Sequence, residues 1–343
     1  MSVAVSTRRR VGRTELQLPV FGFGAAHLGE LYAKVDEAEA QATLAAAWDA
    51  GVRFYDTAPW YGRGLSEHRL GGFLRTRPRD QFIVNTKVGR ILRRPDDPVN
   101  FSTAPWAGGL PFEVEFDYSY DGVMRAYEQV LQRLALNTVD SLVIHDLDTM
   151  FHTPEQVTGY LRQLTGGGLK ALEELKANGD IKAIGVGNNV PGNLDEMLSA
   201  IDVDFAIVAM PYTLLDQGVL DTSMQRCLDR QISVIIGAPF ASGILVTGSG
   251  AGAMYAYGKA PPEVQAKVRG IEAVCKAHGV SMPVAALQFP LAHPAVVSVI
   301  PGAAKPSEVQ HNVAALEVEI PAAFWSDLKA EGLLAANAPV PGR

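Results

Sequence analysis

Short apolar runs recur along the chain, and most follow a stretch with helical patterning. Runs near residues 20, 53, 83, 141, 183, 205, 234 and 297 are rich in Val, Ile and Phe and read as strands. Between them lie segments with apolar residues at helical spacing. Leu44, Ala47 and Trp48 share one helix face, and Val264, Val268, Ile271 and Cys275 share another. Asp36 with Glu39 three residues on is a capping-box-like helix start. Gly51, Gly179 and Gly279 stop three helices. The pattern also predicts a short hairpin over 8–18, helices over 66–75, 171–178, 224–230 and 262–278, and an extra tail helix over 321–334.

Strands alternating with helices argue for a parallel sheet, and eight repeats argue for closure into a (β/α)8 barrel. An open doubly wound sheet would want a glycine fingerprint. Gly22-x-Gly24-x-x-His27 lacks the third glycine, and no helix opens there. The expectation is one barrel domain over residues 1–343, its core at about 11–316. Segments 90–121 and 147–168 are too long for ordinary connections. The first carries Phe101, Trp106, Phe112, Tyr118 and Tyr120 among prolines and glycines; the second carries a short extra helix pattern. Both should cover the C-terminal end of the barrel as binding loops.

Composition narrows the classes. With 343 residues, 48% of them apolar, there is material for a sizeable core. A formal charge of −7 argues against a nucleic-acid or anionic-membrane partner. No apolar run reaches the ~18 residues of a membrane span. Residues 1–7 lack the apolar core of a signal peptide, so they read as a loose arm on a cytoplasmic protein. Arg8-Arg9-Arg10 reads as a solvated face. Cys227 and Cys275 read as reduced core thiols, and the seven histidines show no metal-ligand spacing.

Candidate chemistry gathers at strand ends. The stretch Arg53-Phe54-Tyr55-Asp56-Thr57-Ala58-Pro59-Trp60-Tyr61-Gly62 puts Asp56 at the end of a strand and Tyr61 in the loop beyond. Lys87 and His145 end the next two predicted strands. Ligands bind at such ends in parallel α/β sheets and barrels. A phenol has a pKa near ~10, too high for efficient proton exchange at neutral pH. An ammonium ~4 Å away, at an effective dielectric of ~20, offers about 4 kcal/mol, enough to move that pKa by about three. Asp56–Lys87–Tyr61 therefore reads as a tuned acid/base, with His145 left to orient a carbonyl or hydroxyl oxygen.

Asp56, Tyr61, Lys87 and His145, in this order and at these strand ends, resemble the catalytic tetrad of the aldo-keto reductases. Phe54-Tyr55-Asp56-Thr57-Ala58-x-x-Tyr61-Gly62 is similar to that family's signature, and the resemblance runs from about residue 11 to 316. It implies a nicotinamide cofactor lying across the barrel mouth, near Gly24 and Ala25. Gly187-Asn188-Asn189 resembles the family's Ser-Asn-x, which implies that Asn188 binds the carboxamide. Where the family has a glutamine on the sixth strand and a stacking aromatic after the seventh, this chain has Ala209 and Gly237. Pro239, Phe240, Ser242 and Gly243 follow as cofactor residues, as do Gly302, Ala303, Glu308 and Asn312 in the final strand and helix start.

A helix N-terminus offers free N–H groups to a phosphate. NADPH-using relatives commonly carry lysine, serine and arginine where this chain has Gly302, Ala303 and Glu308. A 2′-phosphate would lose donors and face a carboxylate, at a cost of roughly 1–3 kcal/mol or 10–100-fold in affinity. The expectation is NAD as preferred cofactor, with NADP a second cofactor that Lys305 could serve. An NAD-preferring member oxidises its small-molecule substrate. The resemblance extends to the branch of aldose 1-dehydrogenases acting on L-fucose, D-threo-aldoses and L-galactose, and to pyridoxal 4-dehydrogenase. Both chemistries turn a cyclic hemiacetal into a lactone, and the sequence does not separate them. Trp60, Trp106 and Phe112 are the substrate candidates. A generic NADPH-dependent aldehyde reductase and a non-catalytic nucleotide-binding member are the alternatives.

Overall fold

The computed structural model describes residues 3–342 except 32, 251 and 257. Eight parallel strands form one sheet in chain order: β1 Phe23–Gly24, β2 Phe54–Asp56, β3 Ile83–Val88, β4 Ser141–His145, β5 Ala183–Asn188, β6 Phe205–Ala209, β7 Ser233–Gly237 and β8 Val296–Ile300. Parallel bridges Phe21–Val299 and Gly24–Gly302 bring β8 back to β1 and close the barrel. Helices follow the strands: α1 Glu37–Asp49, α2 Leu65–Leu74, α3 Tyr120–Leu134, α4 Leu169–Ala177, α5 Pro191–Ala200, α6 Gln225–Asp229, α7 Pro262–His278 and α8 Pro306–Ala315. The (β/α)8 expectation holds strand for strand.

Strand alternation decides what the barrel encloses. On β3, Val84 and Val88 join the outer apolar layer under the helices, while Ile83 joins the inner cluster with Phe54, Val143, Phe205 and Ile235. Asn85 and Lys87 share Ile83's inward register, as His145 shares that of Val143 and Asp56 that of Phe54. The inner cluster is apolar toward the N-terminal end, where Val11, Leu16 and Leu18 of the hairpin Arg8–Arg10/Gln17–Pro19 plug it. A groove of about 1030 Å³ lies at this plugged end. Two of its carboxylates are already paired: Asp140 with Arg79 and Lys182, and Asp204 with Lys176.

Several expectations need correcting. Met1 and Ser2 lie outside the described residues, but the rest of the arm is not loose. Val3 donates to the carbonyl of Leu316, and Val5 packs against the core. Asp36 caps α1 by accepting from Ala38 N–H, without the reciprocal Glu39 bond of a capping box. Segment 90–121 is not structureless: Arg90–Arg93 and Glu113–Phe116 pair as an antiparallel ribbon. The short helix expected in 147–168, Pro154–Gln163, runs into α4 through a π turn at Leu164–Gly168. Gly168 sits where a Cβ would lie 2.1 Å from the Tyr118 carbonyl, so only glycine fits that crossing. The tail helix Ala322–Ala330 packs on α7, where His278 meets Asp327 at 2.7 Å.

Candidate active site

Three of the four predicted catalytic side chains enter the mouth of the barrel from neighbouring strands. Asp56 and His145 are the last residues of β2 and β4. Lys87 is one residue short of the end of β3, because Val88 still pairs with Ile144. Lys87 Nζ donates to Asp56 Oδ1 at 2.7 Å and to the Thr57 carbonyl at 2.8 Å. Asn85 Nδ2 donates to the other oxygen of Asp56, and Ser141 Oγ donates to Asn85 Oδ1 at 2.9 Å. The ion pair is buried, and its remaining lone pairs are matched by neighbouring donors, as a buried charge requires.

Tyr61 comes from the loop after β2. The chain turns there with Gly62 and Arg63 in the left-handed region, at φ 65 and 54. A Cβ on Gly29 would lie 2.5 Å from the Gly62 nitrogen, so two glycines let the first and second strand loops press together under the tyrosine. Lys87 Nζ is 4.7 Å from the centre of the Tyr61 ring, and the His145 ring is 6.0 Å away, edge-on. The four residues therefore form one group.

The electrostatics differ from the simple expectation. The Tyr61 phenol is not lowered. Burial pushes it well above its ordinary range, Asp56 and Asp146 push the same way, and Arg90 opposes them. The physical reason is burial first, with the Asp56 carboxylate, in contact with Lys87, adding a negative field at the phenol. Burial likewise raises the carboxyl of Asp56, against Lys87. His145 is driven well below the ordinary imidazole range by burial and by Arg90 and Lys87, so it is neutral at pH 7. Tyr118, buried behind it, donates to the His145 carbonyl at 2.7 Å and fixes the end of β4.

The expected cofactor residues follow the rim. Asn188 ends β5; its Nδ2 donates to the Leu147 carbonyl, while its buried Oδ1 has no partner among the described residues. That orphaned acceptor fits a carboxamide N–H. Ala209 and Gly237 stand opposite each other in register on β6 and β7, leaving the inner wall small between them. Pro239, Phe240, Ser242 and Gly243 form the turn after β7, with Ser242 at φ 59. Gly24, Ala25, Gly302 and Ala303 meet at the β1–β8 seam. A Cβ on Gly24 would lie 2.6 Å from the Ile300 carbonyl. Glu308 and Asn312 lie on α8, and the Glu308 carboxylate accepts from the Ala304 N–H at 2.7 Å. The residues present thus fit a nicotinamide dinucleotide.

The substrate candidates separate. Trp106 is buried, 5.9 Å from the Tyr61 ring and 5.5 Å from that of Trp60. Phe112 does not join them. Its ring is 38% exposed, and its carbonyl accepts from Arg63. The reason is that Arg63 pins the loop through backbone carbonyls, those of Thr103, Ala104 and Phe112, so the loop's order does not depend on that ring.

Sequence reasoning missed Arg90 and Asp146. Gly89, at φ 98, turns the chain just after β3, and Arg90 lies 1% exposed behind it. Its Nη2 donates to Asp146 Oδ2 at 2.9 Å, and the same oxygen is 3.2 Å from His145 Nε2. The signals were adjacency to Lys87 and His145 along the chain and the glycine that reverses direction between Lys87 and Arg90.

A family model described as "Aldo/keto reductase family" matches residues 20–331. Pyridoxal 4-dehydrogenase of Microbacterium luteolum is 38% identical, covering 97% of this chain and 100% of that one. D-threo-aldose 1-dehydrogenase of a Pseudomonas species is 36% identical, covering 94% and 97%. L-galactose dehydrogenase of Arabidopsis thaliana is 31% identical, covering 90% and 87%. Among solved structures, an aldo-keto reductase from Bacillus halodurans in its holo form superimposes with a TM-score of 0.72 at 23% identity, over 96% of this chain and 97% of that one. That likeness shows the fold.

Proposed function

This chain belongs to the aldo/keto reductase family of NAD(P)-dependent oxidoreductases, and from that premise we propose that it oxidises a cyclic hemiacetal to its lactone, with NAD as preferred cofactor. The observation that carries the reading is the grouping of Tyr61 with Lys87 at 4.7 Å and His145 at 6.0 Å under Trp60 and Trp106.

Asn188 would hold the carboxamide through its free Oδ1, with the β1–β8 seam and α8 holding the adenosine end. The bound nicotinamide supplies a hydride acceptor. Tyr61 takes the proton of the hemiacetal hydroxyl as its C–O bond becomes C=O. Neutral His145 orients that oxygen, and Asp56 and Asn85 hold Lys87 beside the phenol. Because Tyr61 binds its proton tightly, its basic form is scarce at neutral pH and oxidation speeds up as pH rises.

The leading substrate is an aldose such as L-fucose or a D-threo-aldose. Pyridoxal is the second reading, favoured by the aromatic wall of Trp60, Trp106 and Phe151 and by the relative named for that activity. The test is NADH production at 340 nm from L-fucose, L-galactose, D-arabinose and pyridoxal, each with NAD and NADP. A sugar turned over with NAD supports the leading reading, and pyridoxal alone moves the substrate. Silence with all four, alongside NADPH-dependent reduction of simple aldehydes, overturns the proposal.

A further inference from the structure

Arg90 is a fully buried guanidinium with more donors than partners. Among the described residues one nitrogen, Nη2, has a hydrogen bond, to Asp146, while Nε and Nη1 are buried with none. Three aromatic rings surround it: Phe151 at 4.8 Å, Phe116 at 4.9 Å and Trp60 at 5.4 Å. Those π faces steady the charge, and Asp146 balances it. Neither satisfies the N–H donors of two nitrogens in the manner of an oxygen. Leaving such donors unmet is costly, and the cost is relieved when a ligand brings an acceptor.

The location limits which acceptor. Arg90 Nη2 donates to Asp146 Oδ2, and the same oxygen lies 3.2 Å from His145 Nε2, so one carboxylate oxygen stands between guanidinium and imidazole. The guanidinium's charge acts on both His145 and Tyr61. Trp60, one of its three rings, packs on Trp106, whose indole N–H is also buried without a partner. Asp146 is fixed in turn. Its other oxygen accepts from Asn189 Nδ2 at 3.3 Å, and its backbone is in the left-handed region at φ 46. Asp146, so held, fixes one side of the guanidinium next to His145 Nε2.

We propose that Arg90, positioned by Asp146, is a specificity-determining residue that donates hydrogen bonds to a substrate oxygen on the atom next to the reacting carbon. In an aldose that oxygen is the C2 hydroxyl; the phenolic oxygen of pyridoxal lies one carbon further from its reacting carbon. The inference rests on the hemiacetal reading and adds to it a requirement for a neighbouring oxygen. A simple aldehyde or cyclic hemiacetal without it would leave the buried donors unmet and react poorly.

The experiment compares parent enzyme, Arg90→Lys and Arg90→Met on the preferred substrate and on its analogue lacking the neighbouring oxygen, with NADH affinity read by fluorescence. A charge-assisted hydrogen bond corresponds to about 10–100-fold. Arg90→Met should lower kcat/KM on the full substrate by about that factor more than on the analogue, any loss common to both reflecting the lost charge beside Tyr61 and His145. Arg90→Lys, which keeps a cation beside Asp146 with fewer donors, should fall between, and NADH affinity should stay at the parent value. Equal losses on substrate and analogue would overturn the inference and make Arg90 a structural cation, while the hemiacetal reading would stand. If Arg90→Met does not fold, the Arg90→Lys comparison decides by the same criterion. A parent enzyme silent on every hemiacetal overturns the functional reading and this inference with it.

Discussion

The Glu308 carboxylate accepts a hydrogen bond from the Ala304 backbone N–H at 2.7 Å. The chain's own acid thus occupies an amide at the start of α8 that an anionic ligand would otherwise use, and a second negative group there would meet both a carboxylate and a missing donor. The parent enzyme should therefore favour NAD over NADP by at least about tenfold in kcat/KM, and Glu308→Arg should narrow or reverse that ratio by about 10–100-fold. Steady-state rates with the two cofactors decide. Equal kcat/KM for both in the parent would sink the idea.

Tyr61→Phe removes the hydroxyl and leaves the ring that packs on Trp106 and faces His145. On its proposed role in taking the substrate proton, its loss should cut kcat by at least ~10³ while NAD affinity holds. A variant as active as the parent would refute the proton-transfer role.

Much of this was legible in the sequence, for identifiable reasons. Strand-forming runs separated by helical patterns gave all eight barrel strands, because period and glycine stops are local properties. Asp56, Lys87 and His145 were legible because each sits at or next to a strand end, and Tyr61 because it lies in the loop that follows one. What was not legible depends on contacts across the chain. The phenol's raised proton affinity comes from burial and from the carboxylates of Asp56 and Asp146, neither of which spacing reports. Arg90 looked like the start of a loop until Gly89 turned it beneath Trp60, and Phe112 looked like a lid residue until Arg63 took its carbonyl.

Lys87→Met leaves Asp56 with Asn85 as its remaining donor in a buried site. The rate should fall, and the alkaline rise in oxidation should move to higher pH, because the phenolate loses its neighbouring cation. The pH profile of kcat across the alkaline range is the measurement. A profile parallel to the parent's would mean that Lys87 serves structure alone.

Arg63 ties segment 101–112 to the tyrosine loop through three carbonyls, and Leu110 N–H adds a bond to the Gly62 carbonyl. Arg63→Ala should loosen this cover while leaving the tetrad's own bonds intact. KM should rise more than kcat falls, and amides of residues 101–112 should exchange faster with deuterium. Unchanged exchange would show that the remaining backbone bonds hold the loop by themselves.

Two buried histidines contribute to how stability responds to acid. Burial lowers His152 and His293 to about 4 from an ordinary 6.5. His152 sits between Phe116 and Tyr160, and His293 Nδ1 accepts from the Ala295 N–H, a bond that protonation breaks. In the unfolded chain both take up protons near 6.5, and in the folded chain only near 4. Their contribution is therefore complete above pH 6.5 and is lost as pH falls from there toward 4, by up to roughly 3 kcal/mol each. Asp146 works the other way. Burial raises it to about 6, so the folded state binds its proton first and gains on acidification between about 6 and 4. His27, His68 and His145 shift the same way as these two, and Asp56 and Asp148 the same way as Asp146, so five lowered imidazoles stand against three raised carboxyls and leave a net loss. Melting temperatures from pH 8 to 4 should fall on the acid side of 6.5, and the fall should be shallower in His152→Gln, whatever its starting value. Identical slopes in parent and variant would remove His152 from the account.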